Sequence, residues 1–498
     1  MKNIKYLLLS SILVVFTACS EDEYDYNPTP EPLPELTAGS ADFTTYVSVG
    51  NSLTSGFTDN ALFIAGQKSS FPNILAQKFA LVGGGDFTLP LMNDNVGGFL
   101  FGGNANPSFG PRLYLDLTTT PRPTPTPLPA MSTTEVFGPT LGPKNNMGIP
   151  GAKSYHLLFD GYGNPINLAT ATANPYFIRM ASTPSATVLG DAMSQSPTFF
   201  SLWIGNNDVL GYALTGGDGT NPITPLDGPQ GVGFAQTYGA IVATLTSAGA
   251  QGVVANIPSV TTIPHFTTVP YNPVPLDAAT ATALNQGYAQ YNGGLQLALN
   301  ALNGTGLFTA AEVAKRTINF SAGPANALVI IDETLTDLGA INPAFAGIPK
   351  YRQATEDDLF VLPLSSLIPQ GYGTQIPLAD KWVLLPSEQA EIATATTAFN
   401  NVISTTASQA GLAFVDANAL LNQLSNGGVS TGDFILRSNL VQGGAFGLDG
   451  VHPTSRGYAL IANMFMRAID TTYGSNFEAS GNFADAGNYP TNYGKEFR

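Results

Sequence analysis

Tyr46-Val47-Ser48-Val49-Gly50-Asn51-Ser52-Leu53-Thr54-Ser55-Gly56 reads as a buried strand that runs into a tight turn and exposes one hydroxyl. Tyr46, Val47 and Val49 supply the aromatic and β-branched side chains of a core strand, and Gly50 and Gly56 permit the sharp turn that would lift Ser52 out of a sheet. Two distant segments give that hydroxyl a chemical context. Asp449-Gly450-Val451-His452-Pro453 sets a carboxylate three residues before an imidazole. Mid-chain, Gly205-Asn206-Asn207-Asp208 follows the apolar run 199–204.

Outward from Ser52, strands and helices alternate, which predicts a parallel sheet covered by helices on both faces. Phe199 to Ile204 is the second core strand, and its exit turn lies on the edge where the first strand ends. A helix over 233–248 precedes the strand 252–257, one β-α-β step. Further helices are expected over 278–302 and 387–410, the latter with Glu388 and Glu391 early and Gly411 past its end. Residues 412–416 read as the last core strand. After Pro453, Thr454 or Ser455 can cap a helix whose apolar positions Tyr458, Ile461, Ala462, Phe465 and Ile469 follow helical spacing. Residues 59–145 and 303–381 are rich in Gly, Pro and Thr or otherwise irregular and read as insertions, the second with a strand-like stretch 327–331. Residues 145–153 read as a Gly-punctuated turn before an apolar helix start at Tyr155, and 474–498 as a polar tail.

Composition removes several function classes. The chain has 498 residues, Lys+Arg 19 against Asp+Glu 35 and a net charge of −16, and it shows no basic patch, so it is not expected to bind nucleic acid. Charged residues are 11%, against roughly 25% in typical soluble domains, so Ser, Thr, Asn and Gly must form much of the surface. One Cys and three His leave neither a disulfide framework nor a zinc cluster of familiar spacing, and no calcium-loop or phosphate-loop pattern is present.

The N-terminus reads as an export signal: Lys2 and Lys5, the apolar run from Tyr6 to Phe16, then Thr17-Ala18-Cys19. The position of Cys19 resembles a bacterial lipobox, which implies lipidation of Cys19 and anchoring to the outer membrane; the alternative is a plain signal peptide with an incidental Cys. The acidic stretch Ser20 to Asp25 and the proline-rich 28–34 describe an extended tether over 19–41. The acidic patch resembles the surface-export signals of Bacteroidetes lipoproteins, or is only linker.

Acyl transfer needs a nucleophile, a base, a group that orients the base, and donors for the developing oxyanion. Ser52 offers the hydroxyl, His452 the base, and Asp449 the orienting carboxylate. The backbone N–H groups of Ser52 and Gly151 and the side-chain amide of Asn207 offer the donors. Singly, Asn207 and Gly151 read as turn residues and His452 as a packing residue at a helix entrance; the catalytic reading rests on their joint order. His156 and His265 have no Asp at matching spacing and are expected to be structural or substrate-lining.

The four segments resemble the blocks of the SGNH, or GDSL-type, lipase and esterase family. Gly50-Asn51-Ser52-Leu53 is similar to the first block, 146–151 to the second, 205–208 to the third and 449–453 to the last. The resemblance implies a flavodoxin-like three-layer α/β/α fold over 42–470, no cofactor, no metal, a Ser52-His452-Asp449 triad and an oxyanion hole of Ser52, Gly151 and Asn207. It departs at Asn51, where the family usually has Asp, which predicts altered bonding in the turn. The expected partners are an ester substrate, whether lipid, small acyl compound or acetylated glycan, and a membrane reached through the Cys19 lipid. Two other classes compete: a non-catalytic glycan- or lipid-binding surface lipoprotein, and a glycoside hydrolase, which needs two carboxylates that no motif singles out. The apolar runs 87–92 and 360–364 lean towards acyl chains as substrate.

Overall fold

The first strand, β1 (Tyr46–Gly50), is buried along its whole length, as expected for a strand covered on both faces. In the computed structural model, which describes residues 32–119 and 123–498, β1 joins β2 (Asn146–Gly148), β3 (Phe199–Trp203), β4 (Gln251–Ala255) and β5 (Ala413–Val415) in one parallel sheet. The order is β2-β1-β3-β4-β5. Register aligns the strand ends that matter: Gly50 lies opposite Gly148 of β2 and Trp203 of β3. Whatever follows these three residues therefore leaves the sheet on one edge.

The principal helices are α1 (Ser52–Ser55), α2 (Phe71–Phe79), α3 (Asn206–Leu214), α4 (Phe234–Thr246), α5 (Ala278–Ala301), α6 (Pro386–Gln409), α7 (Ala417–Ser425) and α8 (Ser455–Tyr473). Their ends carry the expected chemistry. Pro386 opens α6, and Glu388 accepts the Leu385 N–H at 2.6 Å. Thr454 caps α8 by accepting from the Gly457 N–H at 2.9 Å. Helices α2 and α8 pack together, with α8 also against β4 and β5, while α4 pairs with α6. One hydrophobic core runs through the sheet and these helices, and Leu36–Arg498 forms a single compact unit.

Four segments differ from the sequence reading. Residues 146–148, expected as turn, form β2: Asn and Gly have low strand propensity, and pairing with β1 plus a 2.9 Å bond from the Asn146 amide to the Thr54 carbonyl hold them extended. The stretch 59–145 is not irregular throughout. It opens with a short helix, Ile64–Lys68, and then α2, whose Phe71, Ile74, Leu75 and Phe79 are fully buried; Pro72 sits where a helix accepts it, in the first turn.

The C-terminal tail is docked rather than loose, with Phe477 fully buried. The apolar runs 87–92 and 360–364 serve packing: Phe87 stacks on Tyr46, and Met92, Phe360, Val361 and Leu364 are core residues. Within 303–381, Val329–Ile331 pairs antiparallel with Tyr351–Gln353 outside the main sheet, and satellite cores form against α5.

The signal segment, Cys19 and the tether up to residue 31 lie outside the described residues. Among the described residues no helix is long and apolar enough to cross a membrane.

Candidate active site

Chain order reverses direction across the sheet at β1, since β2 lies on one side of it and β3 on the other. In open parallel sheets, ligands gather at the carboxyl ends of the strands beside such a reversal. Ser52, Gly151 and Asn207 follow β1, β2 and β3 at that place.

The three members of the predicted triad are brought together. Ser52 Oγ lies 2.9 Å from His452 Nε2, and His452 Nδ1 lies 2.9 Å from Asp449 Oδ2. Because a carboxylate only accepts, Nδ1 carries the proton in this pairing, which leaves Nε2 as the acceptor facing the serine hydroxyl. Asp449 is held by three further donors: Oδ1 accepts from the N–H groups of Val451 and His452 at 2.8 and 2.9 Å, and Oδ2 accepts from the Asn60 N–H at 2.8 Å. Burial alone would raise its pKa. The His452 charge, the His452 hydrogen bond and the backbone donors outweigh that and hold it down to about 2, so the carboxylate stays ionised.

The turn that carries Asp449 and His452 depends on Gly450, at φ 70°. A Cβ there would meet the His265 backbone nitrogen at 2.9 Å, and the His265 N–H donates to the Gly450 carbonyl at 2.9 Å. His265 thus supports the turn through its backbone, and its buried ring lies beside the Asp449 backbone. His156 is structural too: its ring stacks on Tyr162 at 4.4 Å and its Nδ1 accepts from the Lys153 N–H. Burial and the Lys153 charge push His156 down to about 4, and burial lowers His265 despite Asp449 nearby.

The third block links the first two through three consecutive side chains. Asn206 Oδ1 accepts from the Asn51 amide at 2.9 Å, Asn207 donates to the Ala152 carbonyl at 2.9 Å, and Asp208 accepts from both the N–H and the hydroxyl of Ser154 at 2.8 and 2.7 Å. Asn207 is therefore anchored one residue from Gly151, and its second amide hydrogen is available to a ligand. Among the described residues, neither the Ser52 nor the Gly151 N–H has a protein acceptor. Gly151, exposed and at φ 81°, turns the chain at this point, and Asn174 braces it by donating to the Pro150 carbonyl at 2.8 Å.

The departure at Asn51 has a structural counterpart. Its Oδ1 accepts from the Leu53 N–H at 3.0 Å and caps α1, while its amide donates to Asn206, a bond a carboxylate could not donate. Asn206 then presents its oxygen to Asn51, and its own buried amide nitrogen has no acceptor among the described residues.

Several supporting residues escaped the sequence reading. Asp59 and Asn60 both adopt positive φ, 51° and 63°, a conformation Asp and Asn tolerate better than most residues. That turn aims the Asn60 N–H at Asp449 and lets buried Asp59 accept the Leu448 N–H at 2.8 Å. Burial, with the Asp449 charge adding, pushes the Asp59 carboxyl up to about 7, against the lowering effects of the Leu448 bond and Arg112. The adjacent Asp-Asn pair was the signal in the sequence. Phe57 packs its ring 4.6 Å from that of His452, and Tyr458 donates to the Phe57 carbonyl at 2.7 Å; nothing in the sequence marked Phe57, and Tyr458 was marked only as an apolar position of its helix.

One acidic trio, Glu333, Asp380 and Glu388, sets carboxylate oxygens within 4.8 Å of one another. Burial raises Glu388 and brings Asp380 to about 6, so partial protonation relieves the repulsion.

No family model, curated protein or solved structure matches the chain. A hydroxyl polarised by an imidazole whose tautomer is fixed, beside free N–H donors, can attack an electrophilic carbonyl, and those donors can stabilise the resulting oxyanion.

Proposed function

We propose that this chain is a serine ester hydrolase of the SGNH, or GDSL-type, family, working through an acyl-enzyme. The observation that carries the reading is the unbroken line Ser52 Oγ, His452 Nε2, His452 Nδ1, Asp449 Oδ2, with both heavy-atom separations at 2.9 Å. A binding protein gains nothing from that alignment. The strand order β2-β1-β3-β4-β5 and the helices packed on the sheet support the flavodoxin-like three-layer arrangement of that family.

In the first half-reaction Ser52 Oγ bonds to the ester carbonyl carbon while His452 Nε2 takes the serine proton. The carbonyl oxygen becomes an oxyanion that the Ser52 and Gly151 N–H groups and the Asn207 amide stabilise. The bond to the alcohol breaks, and the His452 proton passes to the departing oxygen. In the second half-reaction water adds to the acyl carbon, giving its proton to His452, and the carboxylic acid leaves as Ser52 is reprotonated. Asp449 stays ionised throughout and stabilises the imidazolium.

Ser52→Ala tests this directly. It should abolish hydrolysis of nitrophenyl esters with circular dichroism and melting temperature unchanged, whereas turnover near wild type in the variant would rule out Ser52 as nucleophile.

The apolar N-terminal run ending at Cys19 supports export and lipid anchoring at the outer membrane. Cys19→Ala should move the protein from the membrane fraction to the soluble fraction; continued membrane partitioning would contradict the anchor.

A further inference from the structure

An apolar cavity of about 80 Å³ adjoins the catalytic edge. Its wall includes Leu53, which follows Ser52, and Val451 and Pro453, which flank His452; Trp203 from the end of β3 and Ala417 and Leu420 from α7 close it. The proposed oxyanion donors follow β1, β2 and β3, whereas α7 follows β5, so the cavity extends from the catalytic turns towards the β5 side of the sheet. Water inside would find no polar side chain, so the space favours an apolar occupant.

We propose that this cavity is the acyl pocket of the Ser52 site and that the substrates are esters of short acyl groups, an inference that rests on the hydrolase reading. Size sets the class: an apolar cavity of about 150 Å³ accommodates benzene, so one of about half that volume takes roughly three or four carbons beyond the reacting carbonyl. Butyryl and similar groups fit, acetyl leaves the pocket unfilled, and long lipid chains exceed it. An acyl tail in this pocket must leave the carbonyl oxygen within reach of the Gly151 N–H and the Asn207 amide, with the departing alcohol taking its proton from His452.

The test is a series of nitrophenyl acetate, butyrate, hexanoate, octanoate and dodecanoate with wild type, Ser52→Ala, Ala417→Leu and Leu420→Ala. Wild-type kcat/KM should rise about fourfold per methylene between acetate and butyrate, the factor that burial of one methylene supplies, and fall by octanoate. Ala417→Leu, which fills the cavity, should lower the butyrate-to-acetate ratio of kcat/KM about tenfold. Leu420→Ala, which enlarges it, should move the optimum to a longer chain. Rates that climb to dodecanoate, or an optimum that neither folded variant moves, would overturn the pocket while Ser52-dependent hydrolysis left the hydrolase reading standing. Hydrolysis equal in wild type and Ser52→Ala would overturn both.

Discussion

Asn207 has one observed bond and one proposed role, and its replacement separates them. One amide hydrogen ties it to the Ala152 carbonyl, and the other is available to the carbonyl oxygen once that oxygen gains charge. Asn207→Ala should lower kcat by about 10²–10³, typical of losing one oxyanion donor, with KM nearly unchanged. A variant that melts earlier but turns over normally would reduce Asn207 to a brace for the Gly151 turn. If His452 is the base, activity should fall on acidification, because a protonated imidazole cannot accept the serine proton. The other candidates for an acid limb can be tested against it. Asp449 is held at about 2, His156 sits at about 4, and His265 is lowered by burial. Asp59, raised to about 7 beside Asp449, is the raised carboxyl at this site that could mimic the limb. The fall in kcat/KM on acidification should therefore persist unchanged in His156→Ala, His265→Ala and Asp59→Asn, the last of which retains an acceptor for Leu448. Disappearance of the limb in Asp59→Asn would assign it to Asp59 rather than to the proposed base. At this scale the sequence was informative where residue type dictates chemistry, as at Ser52, Asp449 and His452. It was silent at Phe57 and Asn174 and marked Tyr458 only as a helix position, because their roles exist only through contacts made in the fold.

Elements were legible in proportion to their periodicity. Helices α5 and α6 begin and end, and α8 begins, within a residue or two of the sequence reading because apolar spacing and caps such as Thr454 and Glu388 mark them. β2 was not, since three residues bearing Asn and Gly carry no alternation, and only its ladder with β1 makes it a strand. The C-terminal tail shows the same limit. Its anchor is Arg112, whose fully buried guanidinium donates to the carbonyls of Asn95, Leu113, Tyr493, Gly494 and Phe497. No composition rule finds a contact across nearly four hundred residues. Arg112→Ala would leave buried carbonyls without donors and open a cavity, so it should cost about 3 kcal/mol or more in chemical denaturation. Limited proteolysis should then cut within 474–498 before the core; a variant as stable and protease-resistant as wild type would contradict this anchoring role.

At the scale of the whole molecule, a parallel sheet delivers residues far apart in sequence to one edge. The strand register aligns Gly50, Gly148 and Trp203, and the turns that leave them carry the proposed nucleophile and oxyanion donors. The docked turn before α8 brings in Asp449 and His452, the proposed acid and base. Sequence order could indicate that these turns share an edge, but not that Asn206, Asn207 and Asp208 would bind the neighbouring turns together. The most direct test of the account is covalent: react the folded protein with a fluorophosphonate, which phosphonylates an activated serine, and locate the adduct by mass spectrometry. The account predicts one adduct per chain, on Ser52, absent in Ser52→Ala and strongly slowed in His452→Ala. A stoichiometric adduct on any other residue, or labelling of Ser52 that proceeds equally fast without His452, would contradict it.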